Sequence, residues 1–247
     1  MLESVKNIQT MRYDLKCSER INHKIRNVES GIKLQRSPRK IYLYAGGPEL
    51  LWIEGKNNGN ALVNPAAFPY INLNLDPSGN ILHKDQHHTI NEVGFDYLAD
   101  IIQYIMQKSG DKFDKTFFYT GDEKFNGRDC YKITITNPDF TFNNYTPEKG
   151  ESAISIARKF KVSEYMIVEN NSFLKDFHDV KKGQVIKVPS TYAKLTVLFI
   201  DKQLMLPVKN TILDDEGLFE AYEYHNLQVN TKILDEEFTK DFKGYHF

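Results

Sequence analysis

Apolar side chains recur at helical spacing at the start of the chain, at Leu2, Val5, Ile8 and Met11, and predict a short helix with one apolar face. The period then falls to two. Met11, Tyr13, Leu15 and Cys17 alternate with Arg12, Asp14 and Lys16, the pattern of a half-buried strand. Strand-like runs follow at 32–36, 39–44 and 50–54, punctuated by Gly31, Gly46-Gly47-Pro48 and Gly55. Turns this short join antiparallel strands, because parallel neighbours need long crossovers. Residues 56–88 are dense in turn chemistry, with short apolar runs at 62–63 and 71–75. Thr89-Ile-Asn-Glu92 has the form of a capping box and is expected to open a long helix ending near Gly110. Val93, Leu98, Ile101, Ile102 and Ile105 would share its inner side.

A second strand series starts at Lys115, with runs at 116–120 and 129–136 about a turn at Asn126-Gly127. It resumes only at Lys194, with runs at 195–200, 204–213 and 218–224 and a turn at Asp214-Asp-Glu-Gly217. Residues 143–191 interrupt it with helical periodicity. The fold class is therefore α+β: a curved antiparallel sheet with packed helices, in two parts (1–142 and 192–247), around an insert at 143–191.

Within the insert, Tyr145-Thr146 leads to a turn at Gly150, and Ser152 can cap a helix carrying Ala153, Ile156, Ala157 and Phe160 on one face. Ser163 can cap a second helix with Met166 and Ile167 inward, and Gly183 turns the chain into 185–188, which Pro189 stops. The phrases Lys-Gly-Glu-Ser, Ile-Ala-Arg-Lys-Phe-Lys-Val-Ser, a closing Asn and Gly-Gln-Val-Ile-Lys-Val-Pro occur in β-α-α-β order, which closely resembles the LysM domain. That resemblance implies binding of N-acetylglucosamine-containing glycan, peptidoglycan or chito-oligosaccharide, in a groove between two loops. Carried over, the loops are Gly150, Glu151, Ser152, Ala153 and Ile154 on one side and Asn171, Ser172 and Phe173 on the other. Ala153 and Asn170 depart from the family's usual apolar residues. Phe173 and Phe177 are either stacking platforms for a sugar or space fillers.

The remainder resembles the LolA-like group of bacterial envelope proteins. Leu206-Pro-Val208, 214–224 and the closing Phe238 and Tyr245-His-Phe247 carry the likeness, and the segment from Leu62 to Tyr97 fits an uncharacterised subfamily. The resemblance implies an incomplete barrel around helices, an apolar cavity able to hold an acyl chain or lipoprotein, and a place in the periplasm or cell envelope after removal of an export signal. Burying a methylene there gains about 0.8 kcal/mol, so no polar chemistry is required.

Composition narrows the partners. Thirty-two basic against 33 acidic side chains leave a net charge of −1, which gives no drive towards nucleic acid. No apolar run reaches transmembrane length, and Met1 to Met11, with Glu3, Lys6 and Asn7, make no signal peptide. Cys17 and Cys130 read as unpaired core thiols, with a disulfide as the alternative. His83, Asp85, His87 and His88 are read as loop residues rather than metal ligands, and Asp214, Asp215 and Glu216 as turn residues rather than paired catalytic carboxylates. No nucleophile elbow, zinc-binding His-Glu-x-x-His or phosphate loop occurs. The expectation is a non-catalytic binding protein without cofactor or metal. Two rivals stay open: a scaffold with a closed core and a silent insert, and a cell-wall hydrolase that the insert targets.

Overall fold

The computed structural model describes residues 1–68 and 70–247. Helix α1 (Leu2–Lys6) leads into a meander of six strands: β1 (Thr10–Ile21), β2 (Lys24–Gln35), β3 (Lys40–Tyr44), β4 (Glu49–Ile53), β5 (Ala61–Asn64) and β6 (Leu73–Leu75). The turn α2 (Asn80–His83) and helices α3 (Asp96–Ser109) and α4 (Phe113–Thr116) follow, then the hairpin of β7 (Phe117–Phe125) and β8 (Arg128–Thr136). The insert consists of β9 (Phe142–Tyr145), α5 (Ala153–Phe160), α6 (Glu164–Glu169) and β10 (Ile186–Pro189). Strands β11 (Leu195–Asp201), β12 (Pro207–Asp214) and β13 (Gly217–Val229) finish the main sheet.

Eleven strands form that sheet in the order β6-β5-β4-β3-β2-β1-β13-β12-β11-β8-β7, every neighbour antiparallel. Its two end strands do not pair with each other, so the barrel stays open, as the LolA-like architecture requires. The first long strand and the last pair in the middle. Strands β8 and β11 also pair directly, Leu195 opposite Thr136, although the whole insert lies between them. The insert has the expected β-α-α-β order, with β9 and β10 as a separate two-stranded sheet.

The alternation in β1 sets the inner face. Tyr13 is opposite Ile32 and Leu15 opposite Ser30, while on the other side Leu15 meets Tyr224 and Cys17 meets Tyr222. Because side chains alternate along a strand, these positions all point inward. The outer face of β1 to β4 is covered by the C-terminal tail. There Tyr245 stacks on Tyr42 with ring centroids 3.8 Å apart, and Phe238 and Ile233 pack with Leu51. Arg12 and Lys33 both bond Glu237 in the tail, at 2.7 and 2.8 Å.

Several local expectations need correction. The Thr89–Glu92 capping box exists, but it closes only a 3-10 turn (Ile90–Glu92). Gly94, at φ +104°, then breaks the path, and α3 starts afresh at Asp96. Strand β2 begins at Lys24 rather than Ile32, because its first half is held by pairing with β1 while its side chains face water. The histidine segment is not a plain loop, since His83 ends α2 and both His83 and His87 are buried. Asp214 does sit at the expected turn, yet it is buried against Arg20 rather than solvated.

The insert shares its core with the sheet. Ala153, Ile156, Met166, Ile167 and Ile186 belong to one continuous apolar cluster with Ile21, Ile101, Ile135, Leu198, Ile212 and Phe219.

Candidate functional site

Between the inner face of the sheet and the segment 82–105 lies a cavity of about 460 Å³. Strand register builds its walls. Val63, Leu50, Leu43, Ile32 and Tyr13 form one row across β5 to β1, and Ser30, Leu15 and Tyr224 form the next. Ile90, Val93, Leu98, Ile101, Ile102 and Ile105 close it from the helix side. The volume falls within the roughly 300–1,000 Å³ of small-molecule sites, and the lining is dominated by aliphatic and aromatic groups.

A cluster of polar groups gathers at one end. Two further rows, Val28-Cys17-Tyr222-Asn210 and Arg26-Glu19-Glu220-Ile212-Thr196, place them there. Glu19 accepts the hydroxyl proton of Tyr222 and the backbone N–H of His87, the latter at 3.0 Å. Glu220 lies 2.8 Å from Nδ1 of His87, accepts from the hydroxyl of Tyr192 at 2.9 Å, and stands 3.4 Å from Nε2 of His88. The other ring nitrogen of His87 is 2.9 Å from the carbonyl of Arg20. Arg26 meets Asp85 at 3.1 Å, an ion pair between β2 and the histidine segment.

These contacts set the charges. Burial disfavours the carboxylate of Glu220, but the adjacent His88 and His87 outweigh it and hold its pKa well below the usual range. Burial likewise opposes charge on His88, yet Glu220, Glu19 and Glu92 raise its pKa to about 9. The phenols of Tyr192 and Tyr222 are pushed up by burial and by the same carboxylates, so both remain hydrogen-bond donors. Burial also raises the Cys17 thiol, with Glu19 reinforcing the shift. Cys17 and Cys130 are both free thiols.

None of the polar end except Cys17, Asp85 and the histidines was weighed as a candidate site in the sequence. A signal was present: Glu19 continues the inward phase of Tyr13, Leu15 and Cys17, and Glu220 shares that of Tyr222 and Tyr224. A carboxylate in an inward phase marks a buried polar cluster.

The predicted glycan loops flank the insert's helices, the first just before α5 and the second just after α6. Gly150, Ser172 and Phe173 are exposed, whereas Glu151, Ser152 and Ile154 are half-buried. Ala153 and Asn171 are buried. The two loops meet where the Ala153 N–H donates to the Phe177 carbonyl at 2.9 Å. Glu151 accepts from the Tyr145 hydroxyl, the Glu148 N–H and Lys159. Ser152 and Ser155 form a reciprocal cap on α5. The Asn171 amide donates to the carbonyls of Ile167 and Lys187 and accepts from the Lys187 N–H, tying the end of α6 to β10. Among the described residues, no group of three His, Cys, Asp or Glu side chains is placed to hold a metal ion, and no helix is long and apolar enough to cross a membrane.

Three solved structures share low identity with the chain. Lipoprotein LppX from Mycobacterium tuberculosis aligns at 12% identity and TM-score 0.45, covering 94% of this chain and 92% of that one. LprF from Mycobacterium bovis aligns at 9% and 0.41, covering 94% and 90%. A DUF1329 family protein from Desulfovibrio piger aligns at 12% and 0.37, covering 96% and 92%. The fold described above rests on the strand pairing itself. No curated protein matches the sequence. Residues 8–147, more than half of the chain, match the family model described as protein of unknown function (DUF1571), and the chain belongs to that family.

Proposed function

We propose that the protein is a non-catalytic carrier that holds one apolar chain, of a lipid or of a lipidated protein, in the cavity of the open sheet within the cell envelope. The observation that carries this reading is the cavity itself: about 460 Å³ walled by aligned rows of aliphatic and aromatic side chains, with a polar cluster at one end. A chain entering it gains about 0.8 kcal/mol per methylene removed from water. The polar end offers internally paired carboxylates and imidazoles, which suits positioning a head group rather than attacking one.

The test is titration of the delipidated protein with 1-N-phenylnaphthylamine, a dye that brightens in apolar surroundings. One dye per protein at micromolar affinity or better is expected. Ser30→Trp, which puts a large ring into the wall opposite Leu15, should weaken that binding severalfold while the melting temperature holds. Weak or non-stoichiometric dye binding, unaffected by Ser30→Trp, would retire the carrier reading.

The insert adds a glycan-binding reading, favoured by its β-α-α-β order and by Gly150, Ser172 and Phe173 standing exposed on two loops that touch. In this reading the insert keeps the carrier on peptidoglycan. Sedimentation with insoluble peptidoglycan measures it: the protein should pellet, and Phe173→Ala should reduce pelleting. Equal recovery of both proteins in the supernatant would refute it.

A further inference from the structure

The polar end of the cavity has donors to spare. Asn210 is buried, with 3% of its surface exposed, and its side-chain oxygen accepts the Tyr222 N–H at 3.0 Å. Its amide NH₂ has no partner among the described residues and faces the cavity. Thr196, 5% exposed on the adjoining strand, likewise brings a hydroxyl to the cavity without a partner among the described residues. Both side chains are more than nine-tenths buried in the cavity wall and have a donor left over, so they mark where a ligand acceptor can be seated.

The carboxylates nearby decide which atom. Glu19 and Glu220 already take donors from Tyr222, Tyr192 and the histidine segment. The cations of this end are both engaged: His88 stands 3.4 Å from Glu220 and from the Tyr192 hydroxyl, and Arg26 meets Asp85 at 3.1 Å. An anionic head group would therefore sit among carboxylates with no unengaged cation to receive it, and like charges in close register repel. An uncharged carbonyl meets the donors without that repulsion.

We infer that the cavity selects ligands whose chain ends in an ester or amide carbonyl, seated on Asn210 and Thr196, over free fatty acids. The inference rests on the carrier reading and specifies its ligand class.

Displacement of bound 1-N-phenylnaphthylamine by methyl laurate and by laurate at pH 7.5 tests it, since the two share one chain. Methyl laurate should displace the dye at a concentration lower by about tenfold or more. Asn210→Asp keeps the oxygen that Tyr222 uses but removes the donor. It should weaken methyl laurate roughly three- to tenfold, the effect of one net hydrogen bond, without changing dye affinity. If that variant melts early, Thr196→Val, of nearly the same shape, should show the same selective loss. Laurate binding as well as its ester, or an unchanged ester affinity in the folded variants, would overturn the inference and leave the carrier standing. Failure of both lipids and dye to bind would remove the carrier reading, and this inference with it.

Discussion

The ring of Phe177 lies 4.0 Å from that of His83 and nearly parallel to it, and both side chains are buried. Phe173, in the same loop, leaves 49% of its surface in water. The question of whether these aromatics stack on sugar or fill space thus divides between them, and stability measurements can separate the two. Phe177→Ala removes a large buried side chain and should cost about 3–5 kcal/mol in denaturant unfolding. Phe173→Ala should stay within about 0.5 kcal/mol of the parent, as exposed positions usually do. A comparable loss at both would mean that the loop packs as one unit. His83 adds a constraint, since neither ring nitrogen has a hydrogen-bond partner among the described residues and burial lowers its pKa. Its ring gives Phe177 a flat surface to stack on.

At the scale of elements, the joint between sheet and insert depends on Arg20 at the end of β1. Its guanidinium bonds Asp214, at the end of β12, and Glu169, in the last turn of α6, and all three side chains are buried. Beside it, His87 is stacked between Tyr165 of the insert and Phe219 of β13, with centroids 4.6 and 4.1 Å away. Arg20→Met would leave two carboxylates buried without their partner, and a loss of about 3–5 kcal/mol is expected in urea unfolding. Arg20→Lys, which retains the charge but not the fork, should recover part of it. The same joint shows what a sequence conveys. Hairpins at Asn126-Gly127 and Asp214–Gly217, the β1 alternation and the order of the insert's elements were all legible, because turn chemistry and period are local. The first half of β2 was not, since residues 24–29 are exposed, with Ile25 and Val28 among charged and polar neighbours, and owe their conformation to pairing with β1. His87 was read as a loop residue for a related reason. Its partners Glu220 and Tyr165 come from distant parts of the chain, and nothing in Gln86-His87-His88 announces them. The cavity was anticipated only through the LolA-like resemblance. Its polar end follows from register, which a single strand does not specify.

For the whole molecule, two ion-paired groups set opposite limits on pH. Burial alone would raise the pKa of Glu237, but Arg12, Lys33 and the Leu234 N–H bring it to about 2 from an ordinary 4.5. A depressed carboxylate stabilises the fold above its unfolded pKa, and that contribution fades as pH falls through about 2. His88 is the reverse case. Its contribution is complete below 6.5 and fades as pH rises through about 9. Melting temperature should therefore fall on both sides of a plateau between about pH 4.5 and 6.5. Glu237→Gln should flatten the acid limb and His88→Gln the alkaline one, and an unaltered profile in either variant would discount that residue. The open sheet has one further consequence, for the company the molecule keeps. A sheet with two free margins offers other chains a template for strand addition, and soluble proteins protect such margins. Here β6 is only three residues long. At the other margin, β7 is kinked by a bulge between Tyr119 and Gly121. Its Asp122, Glu123 and Lys124 are engaged with Lys202, Lys132 and Asp129. An incoming strand would have to displace a lattice of ion pairs on a twisted rim, so a sheet left open at both ends does not make the protein prone to fibrous self-association.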